Sequence, residues 1–162
     1  MQKRLRFSRL EKLIEENDLN ILNDLSVLIL GVGGVGGYVA ESLARSGVGN
    51  LILVDFDTID ESNINRQIIA LDSTIGLKKV DVLENRLKEI NNDINIVKVD
   101  KFIDSENFTS LFDYKIDFFV DACDTVTTKK CVIKYCLDNN IEFITCMGTG
   151  NKLDPSKLEI VD

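Results

Sequence analysis

Histidine is absent from this chain of 162 residues, and none of its four cysteines forms a C-x-x-C pair with another. The usual zinc-binding spacings and a Cys–His catalytic pair are therefore excluded. All four cysteines lie in apolar stretches, which favours buried, reduced thiols over catalytic ones. These residues are Cys123, Cys131, Cys136 and Cys146.

Long apolar runs are missing too, since no segment approaches the roughly 20 apolar residues of a membrane-spanning helix. Residues 1–9 are charged and lack the apolar core of a signal peptide. We therefore expect a cytoplasmic protein without a membrane partner. The net charge of −8 disfavours binding of nucleic acid by this segment alone. Basic residues nevertheless cluster at the start, where they form either a solvated helix face or a phosphate contact: Lys3, Arg4, Arg6, Arg9 and Lys12.

Two patterns alternate from residue 26 onward. Short apolar runs predict buried strands at 27–30, 51–54, 94–99, 118–121 and 143–146. Amphipathic spacing predicts helices between them, at 35–46, 80–90, 105–112 and 127–139. This alternation is typical of an α/β fold with a Rossmann-like, mainly parallel sheet and helices on both faces. Leu10, Leu13 and Ile14 add a short amphipathic N-terminal helix.

The stretch 57–76 interrupts the alternation. It is polar and irregular, and Asn63, Asn65, Arg66 and Gln67 cluster within it. A segment of about 20 residues without clear secondary structure inside a compact domain usually indicates a functional loop.

A glycine-rich loop follows the first predicted strand and opens a helix. Its glycines permit a tight turn and a close approach of the backbone to phosphate, and the helix N-terminus offers free N–H groups. Asp55 ends the next strand, 19 residues after Gly36, where it is placed to accept hydrogen bonds from ribose hydroxyls. This context predicts a nucleotide site, with close helix packing as the plainer alternative. The glycines are Gly31, Gly33, Gly34 and Gly36.

Three further charged residues distinguish ATP from a dinucleotide. Arg66 lies in the polar loop, Lys79 at the start of a helix, and Asp124 just beyond the fourth strand. Chemistry at the α-phosphate needs cations around the leaving pyrophosphate, and a carboxylate is a suitable ligand for the magnesium that accompanies ATP. Each residue alone is more simply a surface charge or a helix cap. Together, after successive strands, they favour a site that cleaves ATP at its α-phosphate.

Several motifs in register resemble the family of ThiF, MoeB and HesA, the bacterial relatives of ubiquitin-activating enzymes. They comprise residues 6–9, the glycine loop, and residues 55–57, 63–67, 76–79 and 121–124. The resemblance implies that Asp55 holds the ribose, that the phosphates lie on Asn63, Arg66 and Lys79, and that Asp124 sits at the magnesium and the reacting carboxylate. It also implies that Arg9 reaches across a homodimer to the partner's ATP. Asp57 and Gln67 complete the expected nucleotide-binding set.

Within the family, the likeness is greatest to the tRNA threonylcarbamoyladenosine dehydratases. Residues 65–71 and 148–155 carry it, together with Thr125, where MoeB-like proteins usually have asparagine. We expect a helical segment over 1–25, and the resemblance implies an ATP-binding Rossmann-like adenylation domain over 26–162. Because such relatives continue further, we expect the C-terminal part of the family fold to be missing here.

The activity implied is adenylation of the carboxylate of threonylcarbamoyladenosine in tRNA, followed by cyclisation with release of AMP and pyrophosphate. The alternative within the family is adenylation of the C-terminal glycine of a ubiquitin-like sulfur-carrier protein of the thiamine or molybdopterin type. A sulfur-relay protein is then a further expected partner. Outside the family, a nicotinamide-dependent oxidoreductase shares the glycine loop and Asp55, and a non-catalytic nucleotide-binding partner in a larger assembly also stays open.

Overall fold

The computed structural model describes residues 5–148 and 153–161. Its centre is a parallel sheet of five strands. The strands are β1 (Ser26–Leu30), β2 (Asn50–Val54), β3 (Asn95–Val99), β4 (Phe118–Asp121) and β5 (Phe143–Thr145). The α-helices are α1 (Glu16–Asp24), α2 (Gly36–Arg45), α3 (Lys79–Ile90) and α4 (Val126–Asp138). The predicted Rossmann-like fold is confirmed, and the strands and helices 2–4 differ from the sequence prediction by one residue at most at either end.

The strand order is β3-β2-β1-β4-β5. The chain therefore starts in the middle of the sheet, moves outward to β3, and returns to place β4 on the other side of β1. Leu30 pairs in register with Val54 of β2 and with Asp121 of β4, so the three strands end at the same edge. In open α/β sheets, ligands bind at the carboxyl ends of the strands where the order reverses, which here lies between β1 and β4.

Two apolar clusters cover the two faces of the sheet. On one face, Val27 and Ile29 of β1 pack with buried residues of α2 and α3, such as Ala40 and Leu83. On the other face, alternate residues of β1 pack with α4 and with a 3₁₀ helix (Phe108–Asp113). Because successive strand residues point to opposite faces, a continuous apolar run such as β1 must be covered on both sides.

The predicted helix over 105–112 is wrong in type and position, because the structure has the 3₁₀ helix Phe108–Asp113 there. Local side-chain bonds compete with an α-helix at its expected start. The Asp104 carboxylate accepts hydrogen bonds from the N–H groups of Glu106 (2.8 Å) and Asn107 (3.1 Å). The Asn107 side chain in turn accepts one from the N–H of Asp104 at 3.1 Å.

The N-terminal helix also differs from the prediction. Residues Leu10–Lys12 form a single 3₁₀ turn, and Leu13, which was expected on an apolar face, is largely exposed. The α-helix of this segment is instead α1, whose first turn is fixed by the Asp18 carboxylate accepting a bond of 3.1 Å from the N–H of Glu15. Leu22 and Leu25 attach it to the core.

The polar stretch 57–76 contains no α-helix or strand, as predicted, and only two 3₁₀ turns, Glu61–Asn63 and Asp72–Thr74. An isolated bridge between Thr58 and Lys78 closes it beside the start of α3. Within the described ranges 5–148 and 153–161, no helix is long and apolar enough to cross a membrane.

Candidate functional site

A cleft of about 750 Å³ lies at the carboxyl ends of the strands. Residues that follow β1, β2, β4 and β5 line it, and the polar loop 57–76 adds two more side chains. Nine of the residues predicted from the sequence are among them: Gly31, Gly33, Gly34, Asp55, Asp57, Arg66, Gln67, Lys79 and Asp124.

The glycine loop requires glycine at two positions. Gly31 has a φ of +87°, which disfavours other residues, and a Cβ there would lie 2.8 Å from the carbonyl oxygen of Ala122. A Cβ on Gly36 would lie only 1.8 Å from the carbonyl oxygen of Gly31. Gly36 therefore does not line the cleft but lets α2 begin directly beneath the loop, so that the backbone of the loop faces the open space.

Asp55 is held by two backbone groups on the wall of the cleft. Its Oδ2 accepts a hydrogen bond from the N–H of Val32 in the glycine loop at 2.8 Å, and its Oδ1 accepts one from the N–H of Asp57 at 2.9 Å. Because an ionised carboxylate offers about four acceptor positions, Asp55 can accept further bonds from the hydroxyl groups of a ligand.

Lys79 is a buried cation beside the same wall. Its Nζ lies 2.6 Å from Oδ2 of Asp57, and its side chain is 7% exposed against 45% for Asp57. The ammonium has three donors, so the pairing with Asp57 leaves capacity for an anion. The adjacent Lys78 differs, because it does not line the cleft and its Nζ donates to the carbonyl of Phe56 and to Asp100, at 3.0 and 3.1 Å.

Arg66 and Gln67 lie over the glycine loop. The exposed guanidinium of Arg66 donates from Nη1 to the carbonyl of Ser62 and to Asn65, both at 2.9 Å, and its stem lies beside Gly34. Gln67 is buried against Gly33, and its Oε1 has no hydrogen-bond partner among the residues that the structure describes. An unpaired buried polar atom costs about 1–3 kcal/mol, and such atoms are rare in folded proteins.

Asp124 projects from the turn after β4 and is exposed to the cleft. In the described part of the chain, no group of three or more acidic, cysteine or histidine side chains is placed to hold a metal ion. Magnesium is commonly held by one or two carboxylates together with substrate phosphates and water. A single carboxylate that lines the same cleft as the glycine loop is compatible with magnesium that arrives with a nucleotide.

Besides Gly36, two further predicted residues lie away from the cleft lining. Asn63 is buried, and its Oδ1 accepts a hydrogen bond of 3.1 Å from the N–H of Asp60, so it fixes the fold of the polar loop. Arg9 is exposed at the N-terminal 3₁₀ turn. Its predicted contact with a partner's ATP stays a prediction. Residues 149–152, which carry part of the resemblance, lie outside the described residues.

The prediction of buried thiols is correct for Cys136 and wrong for the other three, which are half-buried. Cys123 and Cys146 follow the ends of β4 and β5 and therefore line the cleft. Partial burial, together with the hydrogen bond and charge of Asp121, raises the pKa of Cys123 to about 12. The thiol is thus protonated and a poor nucleophile at neutral pH.

We expect Cys123 in the folded protein to react with iodoacetamide at pH 8 between about 10- and 100-fold more slowly than in the urea-unfolded chain. Few thiolates exist at that pH, and the greater nucleophilicity of a more basic thiolate only partly compensates. Peptide-resolved mass spectrometry of the labelled protein measures both rates. Equal rates in the folded and the unfolded chain would contradict the raised pKa of Cys123.

Sequence reasoning missed a buried ion pair at the base of the cleft. Lys129 of α4 lies 2.7 Å from the carboxylate of Asp121, and both are almost fully buried. The signal in the sequence is an acidic residue ending a strand, with a lysine eight residues later in the first turn of the next helix.

The profile of the ThiF family matches residues 7–155. The chain belongs to the ThiF family. A tRNA threonylcarbamoyladenosine dehydratase of Bacillus subtilis is 44% identical over 156 residues, which cover 96% of this chain and 61% of that relative. The resemblance to this family, which the sequence motifs suggested, is therefore confirmed.

Two crystal structures of the Escherichia coli dehydratase TcdA have the same fold. The complex with ATP has a TM-score of 0.94 and 35% identity, and covers 98% of this chain and 65% of that chain. The complex with AMP has a TM-score of 0.93 at the same identity and coverage. This ThiF-family chain spans about three fifths of the length of the curated relatives that it matches.

Proposed function

We propose that this chain is the nucleotide-binding part of an enzyme that uses ATP to adenylate a carboxylate, that of threonylcarbamoyladenosine in tRNA. The observation that carries the proposal is the placement of Arg66, Lys79 and Asp124 around one glycine loop at the carboxyl edge of the sheet. A dinucleotide site gives no reason for these three charges together. The dehydratases similar to this chain support the choice of substrate, and the TcdA complexes with ATP and AMP support the choice of nucleotide.

The glycine loop and Asp55 bind the nucleotide in this account. Backbone N–H groups at the start of α2 hold phosphate oxygens, and the carboxylate of Asp55 accepts bonds from the ribose hydroxyls. Gln67 lines the cleft beside Gly33, so its side chain lies next to the loop that holds the phosphates. Asp55 is already fixed by the N–H of Val32, so binding of the ribose needs no rearrangement of this wall.

The cations act on the phosphates. Lys79 is buried and pre-oriented by Asp57, so it presents its charge at little cost of reorganisation as the pyrophosphate leaves. Arg66 is exposed and donates only from Nη1 to two groups of its own loop in the bonds described, so its planar guanidinium has further donors for the phosphates. Magnesium, when bound, would neutralise further charge on the phosphates, and Asp124 would be its ligand on this chain.

The reaction requires no nucleophile from the protein. A carboxylate oxygen attacks the α-phosphorus of ATP, the bond to the β-phosphate bridging oxygen breaks, and pyrophosphate leaves with that electron pair. An atom of the same modified side chain then attacks the activated acyl carbon, and a proton of that side chain is lost to water. Its C–O bond to phosphate breaks, the ring closes, and AMP leaves with the former carboxylate oxygen. The protonated state of Cys123 agrees with this route.

Several further features belong to the proposal. Residues 26–162 form the adenylation domain, preceded by the helical segment 1–25. The protein acts in the cytoplasm as a homodimer, with Arg9 reaching the partner's nucleotide. The permanent charge and fixed donors of a guanidinium suit that role.

The proposal is tested by incubating the intact protein with ATP, magnesium and tRNA that carries threonylcarbamoyladenosine. We expect AMP and pyrophosphate to form in amounts equal to the cyclised nucleoside, and unmodified tRNA to give neither. If a ubiquitin-like sulfur carrier stimulates the formation of AMP and pyrophosphate and the modified tRNA does not, the carboxylate that is adenylated is the C-terminal glycine of the carrier. In a thermal-shift assay, stabilisation by NAD alone would overturn the choice of ATP.

Replacement of Arg66 with alanine is expected to lower the rate of ATP–pyrophosphate exchange by about 100-fold, because one cation is lost from the charge that develops on the leaving group. Arg45→Ala is the matched control, since Arg45 is also exposed but pairs with Glu41 on α2, away from the cleft. Equal exchange rates for wild type and Arg66→Ala would show that the role assigned to Arg66 is wrong.

A further inference from the structure

The ion pair between Asp121 and Lys129 joins three elements beneath the cleft. Nζ of Lys129 donates to Oδ2 of Asp121 (2.7 Å), to the hydroxyl of Thr145 (3.2 Å) and to the carbonyl of Cys146 (3.0 Å). The hydroxyl of Thr145 also donates to Oδ2 of Asp121 at 2.7 Å. The pair thus ties the end of β4 to the first turn of α4 and to the end of β5.

The pair is completely buried and fully bonded. The side chains of Asp121 and Lys129 are 0% and 4% exposed, and all three donors of the ammonium are used. Removing two such charges from water is costly, and apolar residues of similar size often give equal or greater stability. Stability alone therefore does not account for charges at this position.

The other oxygen of Asp121 holds the turn that carries Asp124. Oδ1 accepts a hydrogen bond from the N–H of Cys123 at 3.2 Å, one residue before Asp124. In the same turn, the carbonyl of Ala122 packs against Gly31, where a Cβ would lie 2.8 Å from its oxygen. Displacement of the turn would therefore move Asp124 relative to the glycine loop.

Accordingly, we propose that Lys129 is a positioning residue for the nucleotide site: it fixes Asp121, and through Asp121 the turn that directs Asp124 at the magnesium nucleotide. The inference rests on the proposed binding of ATP and adds a residue that does not touch the ligand. Partners of this kind behind a metal ligand commonly change metal affinity by 10- to 100-fold.

The variant that tests this role removes both charges together, Asp121→Asn with Lys129→Gln, so that no unpaired charge stays buried. A matched control is Glu41→Gln with Arg86→Gln. It removes a second, half-buried ion pair, which joins α2 to α3 outside the cleft. Each is measured in the intact protein by calorimetric titration with ATP, with and without magnesium, and with and without the further change Asp124→Ala.

We expect magnesium to strengthen ATP binding in the wild type and in the control variant. The Asp121/Lys129 variant should lose about 10-fold or more of this gain. Its affinity for metal-free ATP should stay within about threefold of wild type, because the glycine loop and Asp55 are unchanged. In the Asp124→Ala background, the Asp121/Lys129 change should lower the gain no further, because it acts through that carboxylate.

An unchanged magnesium dependence in the Asp121/Lys129 variant would overturn the positioning role while leaving the proposed function intact, and so would effects that multiply with those of Asp124→Ala. Failure of the wild type to bind ATP would overturn both. If the double variant does not fold, Thr145→Val removes one bond to Asp121 at nearly constant volume. It should reduce the gain from magnesium by about threefold, and no reduction would overturn the role.

Discussion

Alanine in place of Gly36 is expected to abolish ATP binding and to lower the free energy of unfolding by at least about 3 kcal/mol. The added Cβ would lie 1.8 Å from the carbonyl oxygen of Gly31 and 3.2 Å from the Ile29 side chain. Both α2 and the loop must then move, because the nearest atom belongs to backbone and not to a flexible side chain. Urea unfolding and titration with ATP measure the two effects.

Gly37→Ala is the control for this change. It adds the same methyl group one residue later in α2, where the nearest atoms lie 3.4 Å away, within ordinary contact distance. Alanine is also favoured over glycine inside a helix by about 1 kcal/mol. We therefore expect Gly37→Ala to leave stability and ATP affinity nearly unchanged. Equal behaviour of the two variants would contradict the close packing of α2 beneath the loop.

The second large effect is expected at Lys79. Lys79→Ala should lower the rate of ATP–pyrophosphate exchange by about 100- to 1,000-fold, with a smaller change in the KM for ATP. The buried ammonium acts mainly on the charge that develops as pyrophosphate leaves, so its loss affects the transition state more than the bound substrate. Asp57, deprived of its partner, adds an uncompensated negative charge to the same wall.

Lys78→Ala provides the matched control, because it removes an adjacent charge that does not line the cleft and is bonded to the carbonyl of Phe56 and to Asp100. Its exchange rate should stay within about twofold of wild type, and its stability should fall by less than about 1 kcal/mol, as for other exposed ion pairs. Similar losses of activity in the two variants would show that the reaction depends on the total positive charge near the cleft. The buried position of Lys79 would then have no special role.

Most of the sheet could be predicted because apolar runs such as β1 and β2 are buried on both faces and separated by clear helical spacing. The N-terminal helix was predicted too early, at Leu10, Leu13 and Ile14, since the sequence of α1 is polar and its stability depends on the capping of Glu15 and on the contacts of Leu22 with the core. The helix expected over 105–112 failed because Asp104 and Asn107 bind the backbone locally. The spacing of apolar residues does not show when a side chain binds the backbone in place of the hydrogen bonds of a helix.

The site was predictable to the extent that it depends on chain order. Residues that follow parallel strands meet at one edge, which brought Asp55 and Asp124 together with the glycine loop. Pairings between distant side chains were not predictable, because they depend on how helices dock on the sheet. The bond from Lys79 to Asp57 and that from Lys129 to Asp121 are of this kind. The inward direction of Asn63 likewise follows from the fold of its loop.

The central claim is that a carboxylate oxygen attacks the α-phosphorus of ATP in this cleft. The most direct measurement uses tRNA whose threonylcarbamoyladenosine carboxylate carries ¹⁸O at both oxygens, with mass spectrometry of the nucleotide released by the intact protein. We expect AMP that carries one ¹⁸O atom from the carboxylate, formed together with unlabelled pyrophosphate. Release of ADP and phosphate, or of AMP without the label, would contradict the account.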